Sequence, residues 1–281
     1  VYERFVYYDR AASAYELVAS KFSNGSKVAD AIYNAGVLRQ ALGEHQKAIA
    51  HYQDYSKRFR QRKDAADVAF NIGVVYEESG DDGRADQAYR DFARSPSSNR
   101  HVIEAHVRAG RASLRLGQLR RAKDEFATAL ALYKRASGKE KTDGKAWAAE
   151  ARYNEGELVF REFEQISLDV KPAALEKALK KKSQLLESAQ KVYLSVVEFG
   201  DAKWATAALF RTGQVFDGFA ESLVTATLPA GLSEAEQTAY REGLDLYVVQ
   251  FQDKAVERFT AGYQQAIQLQ VYDQNTVKMR E

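Results

Sequence analysis

Gly36, Gly73 and Gly110 stand 37 residues apart and close three similar stretches, "AIYNAG", "VAFNIG" and "AHVRAG". Each lies inside an apolar segment with helical periodicity, where glycine costs roughly 1 kcal/mol against alanine. Twelve residues after each stands an alanine, Ala48, Ala85 and Ala122, followed four residues later by an aromatic, Tyr52, Tyr89 and Phe126. A second glycine seven residues after the first, Gly43, Gly80 and Gly117, marks a short turn between two helices. Such a period implies a repeated unit of helix A, turn and helix B. A glycine where the two helices cross lets them pack more closely than a larger residue would allow.

The same spacings extend the pattern outward. Ala11 and Tyr15 match the helix B signal, with Ala11 25 residues before Gly36, as Ala48 is before Gly73. Downstream, Gly156 is followed by Ala189 and Tyr193, and Gly213 by Ala255 and Phe259, at wider spacings. The units read as 1–26 (a second helix alone), 27–63, 64–100, 101–136, 137–200 (degenerate, with an insertion and a long charged helix over Pro172–Phe199) and 201–281 (degenerate, with capping helices). The insertion "ASGKEKTDGK" reads as a surface loop. Ser233 and Glu236 form a capping box for a helix starting near Glu234.

Composition agrees with an all-α chain: three prolines in 281 residues, abundant Ala, Leu, Glu, Lys, Arg and Gln, and no long alternating β-branched segment. With 41 basic and 39 acidic residues the net charge is +2, so no bulk field draws in nucleic acid or anionic lipid. No run of eighteen apolar residues is present, and insertion into a membrane is not expected. The lone methionine is Met279, which suggests a segment from inside a longer chain.

The Tyr-Asn-x-Gly and Gly-x4-Ala-x3-Tyr/Phe pattern over Ala29–Phe126 resembles the tetratricopeptide (TPR) repeat family. The resemblance implies an α-solenoid, a right-handed superhelix whose concave face is lined by helix A and binds protein segments. The helix B endings "YELVASKF" and "YQDYSKRF" are close to those of bacterial envelope TPR proteins. These include the lipoprotein of the outer-membrane assembly machine and the periplasmic partner of the Tol-Pal system. The C-terminal part also looks like long TPR proteins of gliding and predatory δ-proteobacteria. A periplasmic or outer-membrane-associated location follows as an expectation, with the cytoplasm as the other possibility.

Side chains two residues before each crossing glycine should face the groove: Asn34, Asn71, Arg108, Asn154 and Arg211. Asparagine both donates and accepts, which suits an extended peptide backbone. Arg108, Arg111 and Arg115 fall at i, i+3 and i+7, a stripe that would suit an acidic segment or a free C-terminus unless neighbouring carboxylates neutralise it. Tyr33, Phe70, Tyr153, Phe160 and Phe210 could receive apolar side chains or belong to the core. The lysine-rich first helix of chaperone-tail clamps is replaced here by Asp30, Tyr33 and Val37. The run "KALKKK", Lys177–Lys182, reads as a solvated face, with lipid headgroups as its other reading.

Enzyme signatures fail. "GKEKTDGK" has one residue too many for a phosphate loop and lacks its Ser or Thr. The four histidines have no metal-ligand spacing and there is no cysteine, so no metal or other cofactor is expected. Glu77, Glu78 and Glu157 are the carboxylates that a groove enzyme would have to use. The expected activity is therefore a non-enzymatic scaffold that binds a protein or peptide. A self-assembly module is the alternative, resting on exposed Phe5, Tyr8 and Tyr15.

Overall fold

The computed structural model describes residues 7–22, 25–95 and 101–281; Phe5 falls outside them. The described residues form twelve helices and no strand. Two compact units divide the chain, residues 1–140 and 141–281. Unit 1 holds α1 (Tyr8–Lys21), α2 (Ser26–Ala41), α3 (His45–Arg58), α4 (Ala65–Glu78), α5 (Asp82–Arg94), α6 (Val102–Arg115) and α7 (Leu119–Arg135). Unit 2 holds most of α8 (Gly138–Glu164), then α9 (Pro172–Val197), α10 (Ala202–Val224), α11 (Glu234–Gln268) and α12 (Gln274–Arg280). Within unit 1 each helix packs on the next in sequence from α1 to α7, the hairpin stacking of an all-α solenoid.

The crossing glycines account for how each hairpin closes. A Cβ on Gly36 would stand 2.6 Å from the Tyr52 ring, on Gly73 2.6 Å from Tyr89, and on Gly110 2.5 Å from Phe126. In unit 2 the same contact pairs Gly156 with Tyr193 at 2.5 Å and Gly213 with Phe259. Real Cβ atoms do not approach rings this closely, so only glycine admits the helix B aromatic at the crossing. The turns are equally regular. Gly43, Gly80 and Gly117 adopt φ of 73°, 74° and 72°, and each is followed by a residue whose N–H reaches back to Arg39, Tyr76 or Ser113. This is the Schellman closure that a left-handed glycine permits. The capping box at Ser233 and Glu236 starts α11.

Three expectations need correction, and one left open is decided. "GKEKTDGK" is helical: α8 runs unbroken from Gly138 with Gly144 buried. Lys139, Glu140 and Lys141 favour helix, and packing of the following Ala148, Ala149 and Ala151 outweighs the roughly 1 kcal/mol that a helical glycine costs. For Phe70, Phe160 and Phe210 the sequence left groove and core both open, and the structure places them in the core. Tyr15 is half-buried, not exposed. Finally, Lys182 in "KALKKK" is only 4% exposed. Its Nζ donates to the carbonyls of Phe163 and Ile166 at 3.1 and 2.7 Å, satisfying acceptors left at the C-terminal end of α8. Lys177, Lys180 and Lys181 remain exposed.

An ionic knot around a buried arginine ties α1, α2 and the start of α3. Arg39, 4% exposed, donates to Asp9, Glu16 and Glu44, all at 2.7 Å, and to the Ser13 hydroxyl. The Glu16 carboxyl is held down to about 2, chiefly by its hydrogen bond from Arg39, with burial opposing and His51 assisting.

Candidate functional site

In unit 1 the first helices of the hairpins, α2, α4 and α6, place equivalent positions side by side. Asp30, Asn34, Val37 and Ala41 recur every three or four residues along α2, and so do Asp67, Asn71, Val74 and Glu78 along α4, so each set shares one face. Gln40 at the end of α2 donates to Glu78 at the end of α4 at 2.8 Å, which joins the two faces. The corresponding face of α6 carries Glu104, Arg108, Arg111 and Arg115.

The arginine stripe is neutralised from within. Arg108 donates to Glu104 and to Glu77, both at 2.7 Å, and Arg111 also bonds Glu77 closely. Arg115 pairs with Asp82 at 2.7 Å and reaches Glu77 at 3.5 Å. Glu77 additionally accepts from the Tyr89 hydroxyl at 2.8 Å. Burial pushes the Glu77 carboxyl up, but the Arg111 charge and the hydrogen bonds from Tyr89, Arg108 and Arg111 outweigh it and hold it at about 2. Glu77 is thus an anion at neutral pH that unites three arginines. Its partner position could have been found by placing the fourth residue after one crossing glycine against the second before the next.

Unit 2 repeats this arrangement in its own way. Arg211 grips Glu157 with both arms of its fork, at 2.8 and 2.7 Å, and lies over the Phe160 ring at 5.0 Å. Glu157 also accepts from the Tyr193 hydroxyl at 2.6 Å. Asn154 turns its amide back on its own helix, donating to the Glu150 carbonyl at 2.9 Å.

Among the seven residues expected to line a groove, Arg108, Arg111 and Arg115 come together around Glu77 and its neighbours, while Asn154 and Arg211 are engaged within unit 2. Asn34 and Asn71 differ. Both are half-buried, and neither amide bonds to any described residue. Beside them Tyr33 and Val37 are 36% and 38% exposed. A pair of unengaged amides one repeat apart, with apolar surface beside the first of them on α2, can bind an extended main chain. Among the described residues no group of three or more His, Asp or Glu side chains could hold a metal ion.

The fold defines an all-helical repeat protein built of stacked helical hairpins. Residues 30–61, which form most of the α2–α3 hairpin, match the tetratricopeptide repeat family. No curated protein matches the chain. Among solved structures it is similar to BtubC (BKLC) from P. vanneervenii, at 14% identity over 97% of this chain and 94% of that one, with a TM-score of 0.48. It is also similar to a TPR repeats protein from Bacteroides fragilis NCTC 9343, at 16% identity over 92% and 99% of the two chains, with a TM-score of 0.42.

Proposed function

We propose that this chain is a non-enzymatic scaffold that takes an extended segment of a partner protein across α2 and α4. The observation that carries the reading is the pair of amides on Asn34 and Asn71, placed alike in successive hairpins and without partners among the described residues, in a chain that engages the other five candidates. Of the three carboxylates a groove enzyme would have to use, Glu77 and Glu157 are each engaged by arginine and tyrosine partners, which leaves Glu78 without a second carboxylate to work with. Placement in a bacterial envelope assembly belongs to the proposal on the likeness of the helix B endings at Phe22 and Phe59. Among the described residues no helix is long and apolar enough to cross a membrane.

The test is affinity capture, in parallel from detergent-solubilised envelope and soluble extract, with the wild type and an Asn34→Ala/Asn71→Ala variant as bait. Partners lost with the variant support the face on α2 and α4. Capture untouched by both substitutions refutes it, and recovery only from the soluble extract refutes the envelope placement.

Self-assembly is favoured by a different observation. On α11, Leu246, Val249 and Val256 are 75%, 53% and 62% exposed and fall on one helix face. Light scattering over a concentration series decides it: a constant monomer mass excludes this reading.

A further inference from the structure

The face on α2 and α4 has a definite electrostatic character. On α6 the three arginines are matched by Glu77, Glu104 and Asp82, so that helix offers no spare cation to an acidic ligand. Glu78, exposed and two turns along α4 from Asn71, has among the described residues only the neutral Gln40 amide as its partner. Asp30, one turn before Asn34 on α2, is 60% exposed and meets Arg62 only at 3.4 Å, while Arg62 is held more closely by Asp64 at 3.1 Å. Both ends of the asparagine row therefore carry under-compensated negative charge, and on α2 beside Asn34, Val37 and the outer part of Tyr33, whose ring rests near Tyr52 and Tyr55, present apolar surface.

We infer that the occupant is an extended segment carrying lysine or arginine together with apolar side chains, rather than an acidic one. This inference rests on the binding reading above. In it the asparagine amides hold the main chain, Tyr33 and Val37 receive an apolar side chain, and Glu78 and Asp30 attract the basic ones. The chain as a whole carries a net charge of +2, so attraction of a basic peptide would reflect this face and not bulk charge.

The experiment uses the full 281-residue chain and three fluorescein-labelled, end-blocked nonapeptides alternating leucine with lysine, glutamine or glutamate. Anisotropy at low salt should rank them lysine, glutamine, glutamate, with about fivefold or more separating the extremes, since exposed pairs each contribute only about 0.2–1 kcal/mol. Added salt should compress the ranking. Glu78→Gln should weaken the lysine peptide about twofold to fivefold and leave the glutamine peptide unchanged. Asn71→Ala should weaken all three alike. Circular dichroism melts would show both variants folded. Tighter binding of the glutamate peptide, or a lysine peptide indifferent to Glu78→Gln, overturns the inference while leaving the binding face intact. Binding of all three that ignores Asn71→Ala overturns the binding face itself.

Discussion

The Tyr89 ring occupies the space where a side chain on Gly73 would begin, its nearest carbons 2.6 Å from the Cβ position. Tyr89 is fully buried, so the ring has nowhere to move. Replacing Gly73 by alanine should therefore lose stability even though alanine favours helix by roughly 1 kcal/mol. The expected net cost is about 1–3 kcal/mol, read as a lower urea midpoint. Adding Tyr89→Leu should cost less in the Gly73→Ala background than in the wild type, because the two residues share one space.

Arg39 is the second point of leverage. Arg39→Met removes the cation shared by Asp9, Glu16 and Glu44 and should cost about 1–3 kcal/mol, the range for losing charged hydrogen bonds whose carboxylate ends stay open to water. The pH dependence follows in sign. Glu16 is lowered from 4.5 to about 2 in the folded protein, so it contributes stability above pH 4.5 that is lost as pH falls toward 2. Arg39→Met should flatten the acid limb of the stability profile over that window, measured by urea unfolding at successive pH values.

Lys182 sits within a lysine-rich run yet serves the end of α8. Lys182→Met retains the apolar stem and removes the donor to the Phe163 and Ile166 carbonyls, at an expected cost of about 1–3 kcal/mol. Lys181→Met, one residue earlier and exposed, should change the melting temperature very little.

Glu77→Gln should release part of the arginine cluster on α6. Stability should fall by about 1–3 kcal/mol as charged hydrogen bonds are lost. In the same variant the acidic nonapeptide should gain affinity, because the three arginines lose the anion they share, although Arg108 keeps Glu104 and Arg115 keeps Asp82. An unchanged acidic-peptide affinity would mean that the stripe is not accessible to ligands at all.

The hairpins were legible because glycine, alanine and the helix B aromatic each answer a local steric demand, and those demands recur at fixed spacing. Gly36, Gly73 and Gly110 thus point to Tyr52, Tyr89 and Phe126 as their contacts from spacing alone. The start of α8 was misread because Gly138 and Gly144 signal a loop locally, whereas burial of the residues after them carries the helix through. The fates of the candidate site residues were hidden for another reason. Whether Arg108 points at a ligand or at Glu77 depends on a contact spanning 31 residues, which periodicity within one helix does not report. Lys182 shows the same effect, one lysine of a run turned inward by acceptors 16 and 19 residues earlier.

The central claim is that a partner lies along the face of α2 and α4 marked by Asn34 and Asn71. The most direct measurement places a photo-crosslinking benzoylphenylalanine at Val37 on that face, and separately at the exposed Lys57 on α3, and irradiates each in extract. A partner adduct at Val37, absent at Lys57 and lost when Asn34→Ala and Asn71→Ala are added, is the result expected. An adduct at Lys57 with none at Val37, or one at Val37 indifferent to both asparagines, would contradict the account.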